Sequence, residues 1–180
     1  MNAFDLEKTL STMTCIIDSR EKPTTEAKKR WENLNVPYII EPLKSADYTA
    51  KFQLPNGDWF SLENIALIER KASLTEICGN FCQNRKRFIR EFERIKTAGA
   101  KVYILIENGT WEKAYSGQYR SQMQPQALIA SLTAWMARYN AHVLFCKPET
   151  TPKLIREILY REAKEYFEML VIDDESVDCL

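Results

Sequence analysis

Asp47, Glu69 and Lys71 are the residues of this 180-residue sequence whose types and spacing could do chemistry together. Glu69 and Lys71 stand two apart in the run Ile68-Glu69-Arg70-Lys71. On an extended strand that spacing sends both side chains to one face. Asp47 joins them if the segment that begins there runs beside that strand. Two carboxylates offer the hard oxygen ligands that Mg²⁺ takes while keeping several of its waters. A lysine ammonium can orient the attacking water and stabilise charge growing on a phosphoryl group. The chemistry such a trio suits is metal-assisted hydrolysis of a phosphodiester. Between two carboxylates the ammonium stays protonated unless it is buried, which favours orienting water over deprotonating it. Taken alone, an acidic residue two positions before a lysine is also common decoration of an exposed strand.

Positioning these residues requires a sheet. Thr14 to Ile17 reads as a short buried strand ending at Asp18, followed by the polar loop Asp18-Ser19-Arg20-Glu21-Lys22-Pro23. Thr24 or Thr25 can cap a helix through Asn33, and Tyr38 to Ile40 is extended again. Asp47 to Leu54 is strand-like, Pro55-Asn56-Gly57-Asp58 is turn chemistry, and Trp59 to Leu62 returns as a hairpin partner. Ile65 to Ile68 is the next strand, apolar until it reaches Glu69.

Apolar residues from Leu74 to Ile95 recur at helical spacing, predicting one helix that ends near Gly99 and is the longest of the chain. Lys101 to Ile106 is an apolar run suited to the interior of the sheet, closed by Glu107-Asn108-Gly109-Thr110. A helix opening at Pro125, a strand from His142 to Cys146 and a helix from Pro152 to about Leu170 complete the pattern. The fold class is α/β, a central mixed sheet flanked by helices. Residues 14–170 are expected to form one domain, between a flexible N-terminus (1–13) and an acidic flexible tail (171–180).

Lys plus Arg and Asp plus Glu number 25 each, so no net charge advertises a nucleic-acid partner and any binding surface must be local. Five scattered cysteines with no Cys-x-x-Cys pair, and His142 as the single histidine, argue against a zinc site and for reduced, mostly buried thiols. Cys78 and Cys82 share a helical face and read as core thiols. No basic leader precedes an apolar run, and no stretch nears the roughly 20 apolar residues a bilayer requires. These features predict an intracellular chain, neither secreted nor inserted in a membrane.

Four segments in order carry more than any pair: Asp18-Ser19-Arg20-Glu21, Ala46-Asp47-Tyr48, Ile68-Glu69-Arg70-Lys71, and Asn84-Arg85-Lys86-Arg87 on the following helix. From about Cys15 to Phe167 the sequence resembles the XPF-type nuclease domain, a branch of the PD-(D/E)XK superfamily of structure-specific DNA endonucleases. The resemblance implies a restriction-endonuclease-like fold and Mg²⁺ or Mn²⁺ held by Asp47, Glu69 and the Arg70 backbone carbonyl, with Asp18 a further candidate. It also implies a catalytic Lys71 and supporting roles for Asp18, Arg20, Glu21 and Arg70. Cleavage would leave a 5′ phosphate and a 3′ hydroxyl, with branched, flap or junction DNA as the substrate class and Arg85, Lys86, Arg87 and Arg90 along the phosphates. Selectivity would come from a homodimer or a partner nuclease subunit, because no helix-hairpin-helix module follows residue 170. A compact form of this kind, with reduced cysteines, suits a bacterial or phage protein acting in the cytoplasm.

Two positions depart from the family pattern. Ala46 replaces a usual glycine, and Thr75 stands four residues after the lysine where an aspartate is common, with Glu76 next to it. The Thr75 change leaves a second expectation open, a catalytically weakened DNA-binding or scaffold subunit. RNA as substrate is open too, since nothing in the sequence reads a 2′ hydroxyl.

Overall fold

The computed structural model describes residues 3–177. Its order is α1 (Ala3–Ser11), β1 (Thr14–Asp18), α2 (Thr25–Glu32), β2 (Tyr38–Glu41), β3 (Tyr48–Gln53), β4 (Trp59–Ser61), β5 (Ala66–Lys71), α3 (Leu74–Cys82), α4 (Arg85–Thr97), β6 (Lys101–Glu107), α5 (Trp111–Tyr115), α6 (Pro125–Tyr139), β7 (Ala141–Cys146) and α7 (Thr151–Val177). The strands form one sheet in the order β2-β1-β3-β5-β6-β7, with β4 paired to β3 as the hairpin partner. β3 runs antiparallel to β1 and β5, whereas β5, β6 and β7 are mutually parallel. The sheet is therefore mixed, as the alternation of an early hairpin with later crossover helices requires.

Two cores lie on its two faces. Leu67, Ile104 and Ile106 point to the side of α3, α4 and α6, where Trp135 packs among Phe81, Phe88 and Phe92. Ile68, Tyr48 and Leu105 point to the side of α1, α2 and α7. The period-two alternation along β5 thus assigns Glu69 and Lys71 to the α4 side with Leu67, and Arg70 to the opposite side.

Four features differ from the sequence reading. The N-terminal residues expected to be flexible include α1, because Leu6 and Leu10, four apart, lay one helical face on the α7 core and Met13 follows them in. The helix expected from Leu74 to Gly99 is broken at Gln83-Asn84 into α3 and α4, although the apolar period continues across the break and conceals it. The longest helix is instead α7, which continues through Val177 over most of the expected acidic tail; residues 178–180 lie outside the described residues. Cys82 is exposed rather than a core thiol, whereas Cys15 and Cys78 are buried as expected. Among the described residues no helix is long and apolar enough to cross a membrane.

Candidate active site

The β3–β5 pairing places Tyr48 opposite Ile68, so Asp47 and Glu69 come to the same end of adjacent strands. Backbone bonds fix that end. Asp47 donates its N–H to the Ile68 carbonyl at 2.9 Å, and Asp18 donates its N–H to the Asp47 carbonyl at 2.8 Å. Ala46 turns the chain into β3 at φ 64°, a left-handed conformation that costs a side-chain-bearing residue about 1 kcal/mol and costs glycine almost nothing. The usual glycine of the family pattern thus has a conformational reason, and the alanine here is buried against the α4-side core.

A cleft of about 370 Å³ opens at this end, lined by Asp18, Glu21, Asp47, Glu69, Arg70 and Lys71, and by Glu76, Arg87 and Glu91 from α3 and α4. Asp47 is half-buried, while Glu69 and Lys71 are buried at 7% and 6% exposure. Lys71 Nζ donates to Glu69 Oε1 at 2.5 Å and lies 5.4 Å from the centre of the Phe88 ring. The Arg70 N–H donates to Asp47 Oδ2 at 2.7 Å.

Electrostatics in the cleft are unbalanced. Burial, and then the negative charge of Glu69, push the Asp47 carboxyl well above its usual range against the opposing pull of Lys71. Burial also pushes Glu69 upward despite its bond to Lys71. Burial pulls the Lys71 ammonium down, but Glu69 and Asp47 outweigh it and the net shift is upward, so this lysine stays protonated. A protonated lysine can donate and orient, and cannot take a proton.

Behind the cleft, the remaining expected residues brace. Asp18 accepts from the N–H groups of Arg20 and Leu43, both at 3.3 Å, and from Arg20 Nε at 2.5 Å. Both its oxygens are therefore engaged, and to hold a cation as well it would have to loosen Arg20. Glu21 is held by Arg30, by Trp31 Nε1 at 3.3 Å and by the Tyr48 hydroxyl. Arg70, on the opposite sheet face, grips Glu107 with Nε at 2.9 Å and a second nitrogen at 2.5 Å, and the Thr151 hydroxyl donates to Glu107 at 2.8 Å.

On α4, Arg85, Lys86, Arg87 and Arg90 are all exposed, but they do not share one environment. Arg87 reaches the cleft and lies 3.5 Å from Glu91, whereas Arg85 lies over the Trp135 ring at 5.3 Å. Sequence reasoning missed Glu91, an acidic residue among the basic ones of α4 that lines the cleft. It also missed Glu107, which looked like part of a turn. Thr75 does not face the cleft; its hydroxyl accepts the Arg120 N–H at 3.1 Å. Glu76 lines the cleft instead, with Oε1 3.8 Å from Lys71 Nζ and Oε2 accepting the Ala72 N–H at 2.8 Å.

Whether a divalent cation suits these residues can be judged from the donors. Among the described residues no group of three or more His, Cys, Asp or Glu side chains is arranged to hold an ion. Asp47 and Glu69 are two carboxylates, each with one oxygen engaged and one without a bond to a backbone or lysine nitrogen. That donor set fits Mg²⁺, which binds through one or two carboxylates and keeps several waters, better than a cation needing a closed cage.

The sequence pattern of the ERCC4 domain matches residues 17–155, a span that contains every residue of this cleft. The chain belongs to the ERCC4-domain family. This is the XPF-type nuclease domain that the four sequence segments resemble. Among solved structures, the ERCC4 domain described here is similar to XPF from Aeropyrum pernix, with 18% identity and a TM-score of 0.58 over 81% of this chain and 59% of that one. It is likewise similar to XPF from Aeropyrum pernix in complex with DNA, with 20% identity and a TM-score of 0.59 over 84% of this chain and 65% of the other. At such identities the likeness is one of fold, and this chain spans less than two thirds of each of those chains. No curated protein matches it in sequence.

Proposed function

We propose that this ERCC4 domain is a metal-dependent DNA endonuclease, selective for branched, flap or single-strand/duplex junction DNA, with Asp47, Glu69 and Lys71 as its catalytic residues. The observation that carries the proposal is the convergence of those three side chains in one cleft with an ammonium that stays charged. Asp47, Glu69 and the Arg70 carbonyl would hold Mg²⁺ or Mn²⁺. When bound, the cation supplies neutralising charge for the phosphate and acidifies water. Lys71 Nζ orients the attacking water and donates to the phosphate oxygen on which charge builds. A water oxygen bonds to phosphorus, the bond from phosphorus to the 3′ oxygen breaks, and a proton ends on that oxygen. The products are a 5′ phosphate and a 3′ hydroxyl.

Phosphate binding has its own support. The first turn of α4 holds Arg85, Lys86 and Arg87 and no acidic residue, and Asn84 makes no side-chain cap. Cations at a helix N-terminus oppose the helix dipole, whereas an anion there is stabilised by dipole and cations together. Glu76 in the cleft supplies the carboxylate that Thr75 does not, which favours activity over the scaffold alternative. Pairing between subunits would have to use other surfaces than the apolar side of α6, since Leu128, Leu132, Trp135 and Tyr139 are buried in the chain's own core.

The test is incubation of the purified protein with branched, single-stranded and duplex DNA, and with an RNA counterpart, with and without Mg²⁺ or Mn²⁺, beside a Lys71→Ala control. Cleavage of DNA that requires both metal and Lys71 is expected. Binding without metal-dependent cleavage would reject the enzyme and support the scaffold alternative.

A further inference from the structure

The kink at Ala46 separates the catalytic cleft from a second hollow. Ala46 and Asp47 line the cleft, and the two residues just before them, Lys44 and Ser45, line a hollow of about 410 Å³ on the other side of the same segment. α4 is shared in the same way: Glu91 faces the cleft, and Arg94, Ile95 and Ala98 face the hollow. Ser45 and Asp47 are two residues apart, so these lining residues of the two sites lie within about 7 Å of each other. A DNA strand with a phosphate at Asp47 and Glu69 would have the hollow within reach of an adjoining nucleotide.

Its chemistry selects one part of that nucleotide. Leu67, Ile95 and Ala98 give it an apolar wall, and its volume lies in the range of small-molecule pockets, about 300–1,000 Å³. Both carboxylates that line it are engaged, Glu63 by the Lys44 N–H at 3.0 Å and Glu93 by the Tyr139 hydroxyl at 2.9 Å. Lys44 and Arg94 at its margin balance the charges of Glu63 and Glu93, which these hydrogen bonds leave in place. Ser45 is 3% exposed, and its hydroxyl has no hydrogen-bond partner among the described residues. Such a hydroxyl is uncommon in a folded protein, and Ser45 stands in the lining of the hollow. An apolar wall does not hold a phosphate, but aliphatic side chains can cover the face of a base and leave its edges to the polar groups around them.

We propose that this hollow is a subsite for one unpaired nucleobase of the strand held in the cleft. A base inside a duplex must first be unpaired and unstacked, so a strand that is single, or opened at a junction, fills it at the least cost. The subsite would thereby couple cleavage to an unpaired nucleotide next to the cut, with no reading of sequence. It rests on the DNA-cleaving function proposed above and goes beyond it in naming how structure is sensed.

The test measures binding in a chelator, where nothing is cut. Branched DNA is prepared with a single abasic position stepped through its unpaired arm, and its affinity for the full chain is measured by fluorescence anisotropy. One position, adjoining the nucleotide bound in the cleft, is expected to weaken binding about tenfold when abasic, with neighbouring positions near neutral. Ala98→Trp and Thr97→Trp, both at exposed positions at the end of α4, fill the hollow and should abolish that position-specific penalty, with thermal melting to confirm that each is folded. A penalty spread evenly along the arm, or one unchanged in a folded filled variant, overturns the subsite and leaves the nuclease proposal standing. Failure of the unaltered protein to bind DNA both in chelator and with Mg²⁺ present overturns both.

Discussion

Two clusters of charged side chains lie back to back across the end of β5, and they are built to opposite rules. On one face Asp47 and Glu69 share a single ammonium, and both carboxyls are pushed upward, first by burial. On the other, Arg70 and Glu107 form a two-pronged pair with Thr151 completing it. There the burial of Glu107 is outweighed by Arg70 and Thr151, and its carboxyl is pulled below the usual range. Successive residues of one strand supply both clusters. The difference teaches that buried charge in this domain is not uniformly stabilising: the compensated pair holds the backbone of Arg70 in place, and the uncompensated pair is left short of positive charge where a cation would bind. Strain of this kind gathers at functional sites.

The largest expected effect separates the two clusters by activity. Lys71→Ala should lower cleavage by roughly 100- to 1,000-fold in single-turnover assays, the range for removing one donor to a developing oxyanion. Equal rates for variant and parent would remove Lys71 from the chemistry. Next comes Glu107→Ala, which strips Arg70 of its partner in a buried setting and should destabilise the fold by about 3 kcal/mol in urea unfolding. A loss well under about 1 kcal/mol would show that the pair is not the brace it resembles.

Asp47→Asn should act in the opposite direction. In chelator it relieves the repulsion from Glu69 and should stabilise by about 1 kcal/mol while abolishing metal-dependent cleavage, a trade of stability against function. Its pH dependence follows from the sign of the shift. A carboxyl raised on folding contributes stability below its unfolded value of about 4, and that contribution is lost as pH rises through the folded value. The advantage of Asp47→Asn over the parent should therefore be present at pH 8 and absent near pH 4. For Glu107 the sign reverses: its contribution is present above about pH 4 and is lost as pH falls through the lowered folded value. The deficit of Glu107→Ala should accordingly shrink in acid. The smallest effect is expected at the entrance to β3, where Ala46→Gly removes the left-handed strain and should raise stability by about 0.5–1 kcal/mol, provided the lost methyl contact does not cancel it.

The uncompensated cluster was more legible in the sequence than the compensated one. Glu69 and Lys71 declare their common face through period two, and β3 and β5 declare themselves as strands, so Asp47, Glu69 and Lys71 needed only one assumption, that these strands are neighbours. The brace needed several. Glu107 meets Arg70 only because β6 pairs with β5 in register, Arg70 opposite Leu105, and Thr151 reaches Glu107 only because α7 starts beside the end of β7. Neither contact has a local signature. The break between α3 and α4 was hidden because the apolar period resumes in phase, and α1 was overlooked although Leu6 and Leu10 carry its four-residue spacing. Glu76 and Thr75 show the limit of reading by position. Adjacent residues on a helix differ by about 100°, and only the packing of α3 against the sheet decides that Glu76 turns to the cleft.

The central claim is that the cleft holds Asp47 and Glu69 short of positive charge until a divalent cation arrives. Thermal unfolding of the parent and of Asp47→Asn, each titrated with Mn²⁺, tests it most directly, because a ligand that binds only the folded state raises the melting temperature by mass action. The parent should be stabilised progressively and overtake the variant, whose melting temperature should stay flat. A parent whose melting temperature is indifferent to Mn²⁺, or a variant that rises in step with it, would contradict the assignment of this cleft as the metal site.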